Sequence, residues 1–261
     1  MNDKDKALEI IRQYKDLIRA NKFDDFYRNL EDVGILEIAA ITEIFINAGI
    51  IDKVLQNLTT IPEAMFYETD INEIQIPNNI IKIDNRAFFR CNNLTNITIP
   101  ESVESIGYEA FGECEFLESV SISNSVTEIE FNVFEGCTKL TSITIPDSVT
   151  SIRTATFADC KALESVTIGN GVKAIKRKAF FNCESLKSVT IPDIVTDISN
   201  YAFFGCGSLT SIKIPDSVTS IGDGAFWECE KLKNVTIPAH FKLNLRNIFG
   251  YDSSRINFTF I

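Results

Sequence analysis

A mostly β, right-handed solenoid within the α/β class, with a parallel β-sheet and an N-terminal α-helical cap, is the fold this sequence predicts. Three observations predict it. Cys91, Cys114, Cys137, Cys160, Cys183, Cys206 and Cys229 stand 23 residues apart. The same period carries Phe88, Phe111, Phe134, Phe157, Phe180, Phe203, Phe226 and Phe249. Residues 1–56 lack that period and show helical spacing instead. Self-similarity at a fixed period of about 20–50 residues marks a repeat array, in which each unit buries its apolar side only against its neighbours.

Taken in chain order, residues 1–56 form the helical cap. Ala7, Leu8, Ile11, Tyr14 and Ile18 share one helical face, Ile38, Ile41, Ile44 and Phe45 another, and Gly49 reads as a helix stop. A stack must cover its open end, which assigns these helices to the first coil. Residues 57–261 form the solenoid. Its first unit, 57–90, is degenerate, with Ala64 and Met65 expected in the Ala-Phe positions and Glu68 in the cysteine position. Seven cysteine-containing units follow, then a truncated unit, 242–261, where Ile248 and Phe249 keep the register, Asp252 replaces cysteine, and Phe258 and Phe260 continue the strand.

Further columns complete the unit: Leu94 to Leu232, Ile99 to Ile237, Val103 to Val218 and Ile106 to Ile221. Segments such as Leu209-Thr-Ser-Ile-Lys-Ile214 alternate apolar and polar residues, which predicts a strand with Ile212 and Ile214 inward, ended by proline. Val218 to Ile221 predicts a second short strand, and Gly224 to Cys229 a single helical turn leading back to the next coil. Stacked strands lie about 4.8 Å apart, so seven units span roughly 35 Å.

The unit A-F-x-x-C-x-x-L-x-x-I-x-I-P-x-S-V-x-x-I, as in Ala225 to Ile237 and Ile214 to Ile221, resembles the BspA-like leucine-rich repeats over roughly residues 60–261. The resemblance implies a family largely of microbial surface, secreted and phage-associated proteins that bind host proteins or other cells. It implies no catalytic residues.

The charge of -11 and pI near 4.7 exclude a nucleic-acid backbone as the main ligand, because that affinity comes from Lys and Arg. The most apolar stretch, Ile35 to Ala48, is interrupted by Glu37, Thr42 and Glu43 and is shorter than the roughly 20 residues a membrane span needs. The opening residues lack the pattern of a secretory signal, and the expected location is cytoplasmic or virion-associated.

Equivalent cysteines in stacked coils point the same way, which suits a ladder of reduced, buried thiols rather than disulfides. His240, the only histidine, has no nucleophile motif beside it, so no catalytic residue is expected and the chain reads as a non-enzyme. The column Asn78, Glu101, Asn124, Asp147, Asn170, Asp193 and Asp216 reads as turn chemistry, and neither metal nor cofactor is expected.

Binding residues are expected where aromatics replace polar groups. The residue after the Phe column is Phe89, Gly112, Glu135, Ala158, Phe181, Phe204 and Trp227. A position that takes Glu is exposed, which makes Phe181, Phe204 and Trp227 an apolar stripe, with partial core packing as the competing reading. Tyr201 and the cations Arg153, Lys173, Lys176, Arg177 and Lys178 lie beside it, so the expected partner is a protein that is acidic or carries an apolar patch. Two alternatives stand. The Ser/Thr array on the sheet could bind or present glycans for cleavage, and the strand ending at Ile261 could pair end to end in a self-associating, virion-type structural protein.

Overall fold

The computed structural model describes residues 2–30 and 32–261; the side chain of Asp252, and with it the expectation that Asp252 fills the cysteine position, lies outside the described residues. Five helices open the chain: α1 (Asp3–Gln13), α2 (Lys15–Arg19), α3 (Phe23–Arg28), α4 (Ile35–Asn47) and α5 (Ile51–Leu55). Asn2 caps α1 by accepting the Asp5 N–H at 2.8 Å, and Gly49, in the left-handed region at φ +67°, stops α4 as its spacing predicts. Phe23, Phe26, Ile41, Phe45, Val54 and Leu55 are buried and merge with Leu58, Ile61 and Phe66 of the first coil into one core. Asn79 of that coil donates to the carbonyls of Leu55 and Leu58 (2.7 and 2.5 Å), which satisfies orphan acceptors at the end of α5 and ties cap to solenoid.

The solenoid runs for about nine turns and carries two parallel ladders. The longer strands include Asn96–Ile99, Ser119–Ile122, Ser142–Ile145, Ser165–Ile168, Asn234–Ile237 and Asn257–Phe260. Their register is 23 residues, as in Ser142 opposite Ser165 and Ile145 opposite Ile168. The shorter strands, from Thr60–Ile61 through Ser220–Ile221, are two residues each. Alternation decides what is buried: Ile143 and Ile145 point in, Ser142 and Thr144 out.

Two expectations are corrected. The first coil is one residue short, because Thr60 pairs with Lys82 at a 22-residue offset and Phe66 stacks on Phe88 (4.8 Å, 2°). Met65 and Phe66 therefore hold the Ala-Phe positions, not Ala64 and Met65. Thr69, not Glu68, stands in for cysteine, its hydroxyl donating to Phe66 O at 2.9 Å.

The segment ahead of each cysteine is likewise not a helical turn. In one coil the N–H groups of Arg86, Phe88 and Arg90 leave the coil and donate to the carbonyls of Tyr108, Ala110 and Gly112 (2.8, 2.8 and 2.9 Å). The intervening N–H groups of Ala87, Phe89 and Cys91 close short turns on Asp84, Arg86 and Phe88. A helix would return all of these donors to its own chain. Here half are exported, which makes a third inter-coil ladder. The geometry requires left-handed backbone at Arg86 (φ 52°) and Arg90 (φ 56°), and the same conformation recurs at Lys178 and Tyr201.

The cysteine column lies inside this corner. All seven thiols are free and buried, and each donates to the carbonyl of the preceding coil's Phe, for example Cys114 to Phe88 O at 3.0 Å and Cys160 to Phe134 O at 3.1 Å. Six of these carbonyls also accept the N–H of their own coil's cysteine, as Phe134 O does from Cys137 at 3.2 Å, and Phe66 O accepts that of Thr69 at 3.1 Å. The thiol is thus a second donor to a buried acceptor rather than a passive apolar filler. Beside it the Phe rings stack in parallel from Phe66 to Phe249, spaced 4.8 to 5.6 Å.

Candidate functional site

The third ladder raises a ridge along the outside of the stack. Its crest is the residue after the Phe column: Tyr67, Phe89, Gly112, Glu135, Ala158, Phe181, Phe204, Trp227 and Gly250. Phe181 and Phe204 stack (4.9 Å, 10°), and Tyr201 meets Phe204 and Trp227 edge to face (6.0 and 6.3 Å). Trp227 Nε1 donates to Asn247 O at 2.9 Å. These four rings are half-buried: one side packs on the neighbouring coil and the other faces solvent.

Glycines set where the rings stop. A Cβ on Gly112 would lie 3.0 Å from the Phe89 ring, on Gly224 2.6 Å from Tyr201, and on Gly250 3.2 Å from Trp227. Each aromatic run therefore ends where the next coil offers no side chain. A second run, Tyr67 stacked on Phe89 (5.4 Å, 18°), was missed from the sequence because the short first coil hid the register of Tyr67.

The basic residues divide. Arg153 pairs with Glu130 (2.8 Å) and Lys176 with Asp197 (3.2 Å), both between coils. Lys178 instead places its ammonium 4.7 Å over the Phe181 ring, a cation–π contact on the ridge itself. Arg177 and Lys173 are exposed and have no carboxylate partner among the described residues. The structure thus brings Phe181, Phe204, Trp227, Tyr201 and Lys178 together, with Arg177 exposed next to Lys178 in the chain, and leaves Arg153 and Lys176 neutralised. On the other flank a cavity of about 350 Å³ is lined by Glu184, Glu228 and Glu230 around Gly205 and Gly207.

Between the two aromatic runs the ridge turns acidic. Glu135 is half-buried and its carboxyl is pushed above the usual range by burial, then by the charges of Glu109, Asp159 and Glu113, against a hydrogen bond from Asn132. Glu109 and Glu113 carry their own partners, Arg86 (2.7 Å) and Arg90 (2.6 Å). A larger cavity, about 680 Å³, separates α3 and α4 from the first coil and is lined by Tyr27, Leu30, Ile35, Ile38, Leu58 and Pro62. The sheet's outer face is flat, with Thr98, Thr144 and Thr167 exposed.

His240 is exposed and lies against Phe241 (ring centroids 4.1 Å apart). Among the described residues no group of three or more His, Cys, Asp or Glu side chains is placed to hold a metal, and no helix is long and apolar enough to cross a membrane.

A family model of the BspA type leucine rich repeat region matches residues 59–186 and 150–260. The chain is similar to a leucine rich repeat protein of T. pallidum, at 30% identity and a TM-score of 0.58, over 68% of this chain and 80% of that one. It is also similar to a leucine rich cell surface protein of Faecalibacterium prausnitzii, at 28% identity and a TM-score of 0.54, over 69% of this chain and 59% of that one. No curated protein matches it in sequence.

Proposed function

The chain belongs to the BspA-type leucine-rich repeat family, and on that premise we propose that it is a non-enzymatic interaction module that docks a macromolecular partner on the ridge of Phe181, Phe204, Trp227 and Tyr201. One observation carries the reading. This is a contiguous run of half-exposed rings in successive coils, bordered by Arg177 and Lys178, on a surface whose sheet face is flat and polar. Rigid aromatics beside Arg are the residue types that dominate binding energy at protein interfaces. Arg177, which has no carboxylate partner among the described residues, favours an acidic partner. Seven unpaired thiols fit a reducing compartment as the setting.

The test is quantitative capture of a partner recovered by cross-linking from the native source. Phe204→Ala with Trp227→Ala, checked for fold by circular dichroism, is expected to weaken capture by about 100-fold, the loss of two interface anchors. Capture at the unsubstituted level would remove the ridge from consideration.

A further inference from the structure

We propose a second binding site, separate from the aromatic ridge: a groove beside the short strands that takes one unit of a neutral saccharide. Gly107 is its floor. The residues 23 positions away in the adjoining coils are Asp84 and Glu130, and a Cβ at Gly107 would lie 2.7 Å from Asn85 N and 2.8 Å from the Asp84 carbonyl carbon. Nothing larger than glycine takes that place without a shift, and between the two acids it leaves a cavity of about 410 Å³, within the range of small-molecule pockets. One wall is aromatic. Phe131 is 44% exposed, and its ring lies 5.3 Å from that of Tyr108 at a tilt of 54°. Tyr108 is held in place, its hydroxyl donating to Glu109 at 2.5 Å and the Arg86 guanidinium lying 5.3 Å over its ring. Arg86 therefore occupies a face of Tyr108, and Phe131, followed by Thr154 in the next coil, offers the open one.

The other wall is polar, formed by Lys82, Ser105 and Glu128, which stand opposite one another in adjacent short strands. The charges around the groove are largely paired: Lys82 with Asp84 at 3.2 Å, Arg153 with Glu130 at 2.8 Å and Arg86 with Glu109 at 2.7 Å. Glu128 has no cationic partner among the described residues. An anion would meet Glu128 and a cation would meet Lys82, Arg86 and Arg153, which favours a neutral ligand. Hydrogen-bonding groups of both kinds remain. The donors are the Lys82 ammonium, the Ser105 hydroxyl and the NH2 group of Asn85, whose amide is fixed because its oxygen accepts the Tyr108 N–H at 3.0 Å. The acceptors are the carboxylates of Asp84, Glu128 and Glu130. A sugar ring answers all of these features. Its hydroxyls donate and accept at once and give the carboxylates charge-assisted bonds, while its C–H face lies against the negative face of the Phe131 ring.

Saturation-transfer NMR on the whole chain, with the methyl glycosides of glucose, galactose, mannose and N-acetylglucosamine offered one at a time, tests the groove. At least one should bind, with a Kd on the order of 1 mM for a single sugar unit, and saturation should be strongest at the C–H groups of one ring face. Phe131→Ala should weaken that binding by at least about tenfold, the loss of an aromatic anchor. The variant keeps its fold because the ring lies outside the core, and circular dichroism checks this. Phe116, 53% exposed and not among the residues lining the groove, is the control, and Phe116→Ala should leave binding within about twofold. Transfer to none of the four glycosides overturns the proposal. So does binding that survives Phe131→Ala at full strength, or that falls equally with Phe116→Ala, which would mean that the sugar meets exposed rings without a site.

Discussion

Raising the pH from about 9 to about 11 is expected to unfold this protein, through the cysteine column. Burial pushes every one of the seven thiols up: Cys91 and Cys229 to about 12, and Cys114, Cys137, Cys160, Cys183 and Cys206 upward as well. The native state therefore keeps protons that the unfolded chain releases. Because unfolding releases protons, stability falls as pH rises above the ordinary thiol value of 9.0 and goes on falling to the folded value near 12. At about pH 10 each exposed thiol gains about 1.4 kcal/mol by ionising, so seven amount to roughly 10 kcal/mol, comparable with a whole domain's stability. Circular dichroism against pH, with Ellman's reagent as a parallel probe, reads this out. No thiol should react at about pH 8, and all should react once the fold is lost. Rapid labelling at that pH with the fold intact, or an intact fold near pH 11.5, would contradict the ladder of thiol-to-carbonyl bonds.

Phe157→Ala should cost about 3–5 kcal/mol in urea unfolding, the usual loss for a fully buried ring in the middle of a core. Phe157 is fully buried and sits between Phe134 (5.6 Å, 6°) and Phe180 (5.4 Å, 8°). Removing it leaves a cavity that opens both neighbouring contacts, and the coils above and below are held in place by their own ladders and cannot collapse into it. Phe131, one coil earlier, is 44% exposed, and Phe131→Ala should change stability by less than about 0.5 kcal/mol. Equal losses at the two sites would mean that the Phe column is not the spine of the stack.

How much of this was legible in the sequence depends on the repeat. Residues 23 apart are in contact, so the Phe, Cys and Leu columns, the strand faces and the neighbouring aromatics Phe181, Phe204 and Trp227 could be read by counting. The same count would have paired Arg153 with Glu130, also 23 apart, and shown that the basic cluster is partly neutralised. The first coil escaped because it lacks a cysteine to mark its register, and Ala64-Met65 fits the small-then-large pattern while the true pair, Met65-Phe66, does not, as the stacking of Phe66 on Phe88 reveals. The third ladder escaped for a different reason. Its left-handed positions are held by Arg86, Glu109, Asn132, Ala155, Lys178 and Tyr201, side chains with no common turn signature, and the conformation is imposed by hydrogen bonds to the next coil rather than by local preference.

Which face of the solenoid meets the partner is tested most directly by one paired comparison: capture of the same partner by Phe204→Arg, on the ridge, and by Thr167→Arg, on the exposed sheet face. A bulky charge at an interface centre should weaken binding by about 100-fold or more, and the same charge elsewhere should leave it within about twofold. Loss with Phe204→Arg and retention with Thr167→Arg is the predicted result. The reverse pattern would place the partner on the hydroxyl-lined sheet and contradict the ridge as the site of function.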